Sequence, residues 1–225
     1  MKKYLPILQS SSLFRQMDSG EIEDTLKQLT PSVKTFGKNQ YIFRSGDYAH
    51  ALGLVLSGSV HIIKEDFWGN RNMMSRVIPG QIFAETYACL SEIPMTVSVV
   101  AAESVSVLFL DIRQIITPAA DTAFTAAFVP SGKFMQNFML VMAEKNLLLN
   151  EKITHISKRT TREKLLSYLS AQSLRFGGSK FDIPFNRQQL ADYLSVDRSA
   201  MSSELGKMRD EGLIQFHKNH FVLKK

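Results

Sequence analysis

Residues 185–214, with the sequence FNRQQLADYLSVDRSAMSSELGKMRDEGLI, decide the fold of the C-terminal third of the chain. Asn186 followed three residues later by Gln189 forms a capping box, which predicts the start of a helix. Ser195 ends that helix in a short turn, and Asp197 is a good N-cap for a second one. The apolar residues of the second helix share its inward face: Met201, Leu205 and Met208. Two short capped helices joined by a tight turn are typical of the helix-turn-helix motif.

Polar side chains and positive charge accompany this motif. Four polar residues remain outward at the start of the second predicted helix: Arg198, Ser199, Ser202 and Ser203. The ending EGLIQFHKNHFVL (211–223) predicts a hairpin wing with Lys218 near its tip. Residues 1–150 carry 13 basic and 13 acidic side chains, whereas residues 151–225 carry 14 and 8, so the whole net charge of +6 lies in the last third. This order of elements and this charge favour DNA as the partner over the alternative, a small bundle of capped helices.

The stretch from about 33 to 110 has a different residue pattern, with short runs of Val, Ile, Leu and Phe separated by glycines. Because glycine supplies the positive φ that turns require, this pattern predicts an antiparallel β sandwich or barrel. FWGNRN (67–72) predicts a hairpin loop, residues 1–30 are predicted to be helical, and FGGSKFDIP (176–184) predicts a turn.

A proline-free stretch from 131 to 157 predicts one long helix. Apolar spacings that alternate between four and three residues indicate a coiled-coil seam, in which Asn146 occupies an a position and favours two strands. A second apolar stripe on a neighbouring face predicts packing against the β region of the same chain. The alternative is one wide apolar face buried within a single chain. The seam residues predicted to join two copies are Met135, Met139, Met142, Asn146, Leu149 and Ile153.

Three segments resemble transcription regulators of the cyclic AMP receptor protein/FNR family. IFRSGDYAHALGLVLSGSVHII (42–63) resembles the family's β-roll, PGQIFAETYACLSEIPMTVSVVAAE (79–103) resembles the cassette that cradles an effector phosphate, and TTREKLLSYL (160–169) resembles the helix that opens the DNA-binding domain. The resemblance implies an α+β chain made of an N-terminal antiparallel β-roll, cyclic-nucleotide-binding-like, at 1–130, a dimerisation helix at 131–157 and a C-terminal winged helix-turn-helix at 158–225.

The resemblance also implies partners and contacts. Arg187 and Gln188 match family positions that hold the DNA backbone, and the polar start of the second helix matches recognition positions. Many relatives have glutamate and arginine where this chain has Ser199 and Ser203, so the expected operator differs from the common family sequence. The implied partners are palindromic double-stranded DNA, a second copy of the chain and RNA polymerase.

The cassette departs from the family pattern. The glycine before Glu85 is replaced by Ala84, and Met95 stands where the family has a phosphate-binding arginine. One lost charge-assisted hydrogen bond of about 1.5–3 kcal/mol weakens binding by roughly 10- to 100-fold. We therefore expect a small organic effector other than cyclic AMP, apolar or aromatic and weakly acidic, bound between the β-roll and the long helix; the alternative is a filled core with no ligand. The expected effector contacts are Ala84, Glu85, Thr86, Met95, Thr96, Phe134, Phe138 and Leu148.

Other function classes find little support. Cys89 is the single cysteine, which excludes an internal disulfide and a four-cysteine cluster, and we expect no cofactor and no metal. The sequence lacks a P-loop and an H-E-x-x-H motif, so we expect no enzyme. Its apolar runs are shorter than the ~18 residues of a membrane span, which predicts a cytoplasmic protein without a membrane partner. A constitutive architectural DNA binder remains the competing class.

Overall fold

A computed structural model describes residues 2–65, 68, 71–90, 92–113 and 132–224. The chain divides into two compact units, Met1–Val141 and Met142–Lys225, and one long helix contributes residues to both. The predicted boundary at residue 130 lies outside the described residues, so the three-part division of the chain stays a prediction.

The helices are α1 (Leu5–Ser10), α2 (Ser19–Gln28), α3 (Glu85–Cys89), α4 (Gly132–Ile156), α5 (Thr161–Phe176), α6 (Arg187–Leu194) and α7 (Arg198–Asp210), with 3₁₀ turns at Lys2–Tyr4 and Ser12–Phe14. The strands are β1 (Ser32–Phe36), β2 (Tyr41–Phe43), β3 (Leu52–Ser57), β4 (Val60–Glu65), β5 (Arg71–Val77), β6 (Ile82–Phe83), β7 (Ser98–Ala101), β8 (Val105–Leu110), β9 (Lys180–Asp182), β10 (Ile214–His217) and β11 (His220–Leu223).

The first unit contains a β-roll of two four-stranded antiparallel sheets, in the orders β1-β8-β3-β6 and β2-β7-β4-β5. Side chains from both sheets and from their connecting segments bury one apolar core: Ala49, Val55, Val60, Val77, Phe83, Met95, Val99, Ala101, Val105 and Val107. The predicted antiparallel β-roll is confirmed. Of the predicted loop 67–72, Arg71 and Asn72 instead begin β5, while Phe67, Gly69 and Asn70 lie outside the described residues.

Two glycines are required where chain segments approach closely. At Gly53 in β3 a Cβ atom would lie 2.3 Å from the Phe83 ring, so this ring packs across the strand only because the position has no side chain. At Gly58, between β3 and β4, φ is +72° and a Cβ atom would lie 2.3 Å from the carbonyl oxygen of Ser104. The turn therefore needs glycine for its conformation and for its space.

The N-terminal helices pack against the start of α4 within the first unit. The rings of Phe14 and Phe134 have centroids 5.8 Å apart, and both side chains are buried. The amide nitrogen Nδ2 of Asn137 donates to the carbonyl oxygen of Arg15 at 2.8 Å. Helix α4 occupies Gly132–Ile156, which confirms the predicted long helix.

The second unit contains the last part of α4, helices α5 to α7 and a three-stranded sheet in the order β10-β11-β9. The predicted wing hairpin is present as β10 and β11. The segment predicted as a simple turn at 176–184 also contains strand β9, which the prediction missed. Phe181 of β9 pairs with Phe221 of β11, and a pairing across 40 residues is decided by tertiary packing rather than local pattern. The buried core of this unit comprises Leu165, Tyr168, Leu169, Phe181, Ile183, Leu190, Ala191, Leu194, Met201, Leu205, Met208, Ile214 and Phe221.

Candidate nucleic-acid interface and effector site

Helix α6 is held at both ends by side-chain hydrogen bonds. Asn186 Oδ1 accepts from the Gln189 amide and Gln189 Oε1 accepts from the Asn186 amide, each at 2.9 Å, so the predicted capping box is present. At the other end, Lys164 Nζ donates to the carbonyl oxygens of Leu194 and Ser195 at 3.2 and 3.3 Å. A cation at a helix C-terminus complements the helix dipole, so α5 fixes the end of α6 from which the turn departs.

The turn between α6 and α7 is tight. Ser195 adopts the left-handed conformation with φ 52°, and the Val196 amide donates back to the Ala191 carbonyl at 3.0 Å. Asp197 then caps α7, because its Oδ1 accepts from the Ala200 amide at 2.8 Å. These bonds set the direction in which α7 leaves the turn.

Helix α7 has one buried face and one polar, exposed face. Met201, Leu205 and Met208 are fully buried, as the spacing predicts. The four polar side chains predicted to face outward are all exposed: Arg198, Ser199, Ser202 and Ser203. The Ser202 hydroxyl donates to the Arg198 carbonyl at 2.9 Å, which leaves its oxygen as an acceptor.

An ion-pair group ties α7 to α5. Arg162 of α5 donates to Glu211 just after α7 and to Glu204 within it, the latter at 3.4 Å. The guanidinium of Arg162 lowers the pKa of the Glu211 carboxyl through these hydrogen bonds. The Arg162 side chain therefore bonds to groups of its own unit, and these bonds orient α7.

Gln188 and Lys218 lie at the surface, as expected of groups that reach phosphates. Gln188 is exposed on α6, and its Nε2 donates to Asp192 one turn along the helix at 2.8 Å. Lys218 is exposed at the tip of the wing with φ 52°. The same tip is bonded to the residue that follows β9, because the Asn219 carbonyl accepts from the Ile183 amide at 2.9 Å.

Arg187 is more enclosed than the sequence-based interpretation suggests. Its guanidinium carbon lies 4.8 Å from the Phe216 ring centroid and 5.2 Å from that of Phe221. Its Nη1 is buried without a hydrogen-bond partner among the described residues, and burial lowers the pKa of the guanidinium. Arg187 therefore braces the wing against α6. Sequence reasoning missed this contact, because Phe216 and Phe221 lie far from Arg187 along the chain.

The cassette residues in the first unit surround the start of α3. Ala84 precedes α3 in the left-handed conformation, with φ 59°, although the family glycine is absent. Glu85 is buried and Thr86 is exposed. Met95 is buried in the core of the β-roll, so the side chain at the arginine position points to apolar neighbours.

Tyr87 is a cassette residue that sequence reasoning did not single out. Its hydroxyl oxygen lies 2.8 Å from Thr96 Oγ1 and accepts from the Thr96 amide at 3.2 Å. Tyr87 therefore joins α3, with Glu85 and Thr86, to the segment that carries Met95 and Thr96. No local pattern predicts this bond, because the partners are nine residues apart on two segments.

The three expected effector contacts on α4 have different surroundings. Phe134 and Phe138 are buried in the first unit, where Phe134 packs against Phe14, so Phe134 is a core residue. Leu148 belongs to the second unit and is 52% exposed. Their assignment to an effector pocket stays a prediction.

The predicted dimer seam on α4 is largely exposed. Met139 is 65%, Leu149 56% and Ile153 50% exposed, Asn146 is exposed, and Met135 and Met142 are half-buried. Asn146 Oδ1 accepts from Nδ2 of Asn150 at 2.9 Å, so the two side-chain amides are hydrogen-bonded to each other within the exposed seam.

Comparisons with known proteins identify both parts of the chain. Residues 33–117 match the model of a cyclic nucleotide-binding domain, and residues 163–225 match a Crp-like helix-turn-helix domain. A β-roll of this kind followed by a long helix and a winged helix-turn-helix defines a DNA-binding transcription regulator with an effector-binding domain. The chain belongs to the cyclic AMP receptor protein/FNR family. Members of that family are transcription regulators rather than enzymes.

Several solved structures share the fold. CprK complexed with OCPA has a TM-score of 0.65 at 9% identity, over 90% of this chain and 88% of that one. A CooA mutant from Carboxydothermus hydrogenoformans has a TM-score of 0.62 at 17% identity, over 100% of this chain and 93% of that one. The c-di-GMP-responsive regulator CLP from Xanthomonas campestris has a TM-score of 0.59 at 19% identity, over 92% of this chain and 100% of that one. No curated protein sequence matches this chain significantly. Across the described ranges, the helices are too short or too polar to cross a membrane.

Proposed function

We propose that two copies of this chain bind a two-fold-related DNA site, with α7 of each copy in a major groove. The observation that carries the proposal is the exposed polar start of α7. The part of the chain that contains α7 also contains the wing and holds the whole net charge of +6. A recognition helix needs this combination, because its N-terminal residues contact base edges while basic side chains nearby contact phosphates.

The contacts divide by chemistry. Arg198 is the candidate for reading a base edge, because an arginine fork recognises guanine. The Ser199 and Ser203 hydroxyls can donate or accept, whereas Ser202 Oγ is left as an acceptor because it donates to the Arg198 carbonyl. The three serines therefore suit several bases and water-mediated contacts. We assign the phosphate contacts to Gln188 and Lys218, because both side chains are exposed. Arg187 supports the same surface from below, by stacking on Phe216.

The exposed apolar side chains of α4 support pairing of two copies. Leu140, Leu147, Leu148 and Leu149 join Met139 and Ile153 as exposed large apolar side chains of one helix. Burial of one such side chain contributes about 1.5–3 kcal/mol, and a polar Asn146 in the seam would select two strands in register.

We propose a small organic effector other than cyclic AMP, bound in the β-roll of the first unit. The buried, uncharged Met95 supports this, because the site has no guanidinium at that position to hold a phosphate. The effector changes DNA affinity only by binding the two states of the regulator unequally. Operator affinity unaffected by every compound of a metabolite library would instead favour the architectural DNA binder.

The decisive experiment selects genomic fragments that the full chain retains, followed by fluorescence anisotropy over a series of salt concentrations. Arg198→Ala should weaken binding to the selected site by roughly 1–3 kcal/mol and relax its sequence preference. Arg175→Ala is the matched control, because Arg175 is exposed in the same unit near the end of α5 and is not part of the helix-turn-helix.

Failure of the wild-type chain to retain any fragment at low salt would overturn the proposal, as would equal effects of the two variants. Transcription in vitro with RNA polymerase on the selected fragment then distinguishes activation from repression.

A further inference from the structure

The amide and hydroxyl of Thr96 converge on one oxygen atom, the hydroxyl of Tyr87. The amide donates to this oxygen at 3.2 Å, and Thr96 Oγ1 lies 2.8 Å from it. Two polar groups of one residue aimed at one point form a small cradle for an oxygen atom. In this chain a phenol from α3 supplies the oxygen.

The cradle is held in place by the backbone next to it. The Met95 amide donates to the Asp47 carbonyl, and the Gly46 amide donates to the Met95 carbonyl, both at 2.8 Å. Ser98, two residues beyond Thr96, accepts from the Ser45 amide through its hydroxyl at 2.9 Å. The segment is thus anchored to the loop before β3 on both sides of Thr96, so the direction of the Thr96 amide is set whether or not the phenol occupies it.

The cradle is accessible to a ligand. Thr96 is exposed and Tyr87 is only half-buried. A hydrogen bond between neutral groups is weaker than one to an anionic oxygen, so a carboxylate or phosphate can compete with the phenol for Thr96.

We propose that Tyr87 is an internal ligand of the cassette that an anionic effector displaces. Without effector the phenol hydroxyl occupies the cradle of Thr96, and a carboxylate or phosphate oxygen of the effector takes its place. Tyr87 thereby sets the affinity threshold for the anion. The proposal rests on the proposed function only in assigning the effector site to the β-roll.

The test follows the Thr96 amide resonance in the full-length chain during titrations with benzoate and, separately, cyclic AMP. Tyr87→Phe removes the hydroxyl and keeps the ring. Tyr48→Phe is the matched control, because it removes a hydroxyl from an exposed tyrosine of the same unit. Tyr87→Phe should shift the Thr96 resonance without ligand and tighten binding of at least one probe by about 2- to 10-fold, whereas the control should match wild type.

A response to benzoate assigns the cradle to carboxylates. A response to cyclic AMP assigns it to phosphates and would reject the part of the proposed function that excludes cyclic AMP as the effector. An unmoved Thr96 resonance in Tyr87→Phe, equal affinities in the variant and the wild type, or no response to either probe would overturn the proposal. Operator binding is measured on the same samples. Loss of DNA binding with an intact Thr96 response would reject the proposed function and leave this proposal standing.

Discussion

Replacement of Gly58 by alanine should strongly destabilise the β-roll. Gly58 has φ +72°, and the left-handed conformation costs a residue with a Cβ atom about 1–2 kcal/mol. The added Cβ would lie 2.3 Å from the carbonyl oxygen of Ser104 and 3.0 Å from Cα of Val105. Both contacts are with backbone, so relief requires a shift of β8, and overpacking of this kind costs about 1–3 kcal/mol. The expected loss is about 2–5 kcal/mol of the 5–15 kcal/mol typical of a domain.

Native-state hydrogen exchange of the full-length chain measures this loss at amides of β3 and β8. Gly46→Ala is the matched control, since Gly46 has φ +95° in the same unit but nothing within 4 Å of a Cβ atom. The control should lose only the conformational cost, about 1–2 kcal/mol. Equal losses in the two variants would show that the approach to Ser104 contributes nothing, and would refute the steric part of the reasoning.

Three further predictions concern the second unit. Leu149→Lys should convert the proposed dimer to a monomer in light-scattering measurements, whereas Leu174→Lys, at a side chain 84% exposed on α5, should not. A dimer that survives the first change would count against the seam. Burial lowers the pKa of His155, which lies near Ser167 and is 4% exposed. The contribution of His155 to the free energy of unfolding of this unit should therefore be complete above pH ~6.5 and be lost as the pH falls. The slope should be at most about 1.4 kcal/mol per pH unit. His155→Gln should flatten this dependence in urea titrations read by exchange at α5 amides, and an unchanged slope would exclude His155 as its source. Lys218→Gly removes the strain of a side chain in the left-handed conformation, so the stability of the unit should be unchanged or higher. The same change should weaken DNA binding and reduce the slope of log affinity against log salt concentration by about 0.9. An unchanged slope would exclude Lys218 from the phosphate contacts.

The features predicted correctly from the sequence are those that neighbouring residues decide. The capping box of Asn186 and Gln189 and the N-cap Asp197 depend on residues three positions apart, and the structure has all of these bonds. The buried face of α7 follows from helical spacing alone. The antiparallel β-roll was predicted from its glycine-punctuated strands, although the pattern could not say which strands pair.

The features that were missed depend on residues far apart in the chain. Strand β9 exists because β11 is available beside it, and Arg187 is enclosed because the wing folds back over α6. The bond between Tyr87 and Thr96 depends on how α3 packs on the β-roll.

By itself, the sequence determined the succession of elements, the capped helix pair and the concentration of charge in the last third, because each depends on residue type and short spacing. Only the tertiary structure decided which polar groups remain available to a partner. Arg162 and Arg187 are engaged within the unit, whereas Arg198 and Lys218 are exposed. The physical reason is that a side chain's hydrogen bonds and solvation are set by the groups that folding brings around it, and those groups come from distant parts of the chain.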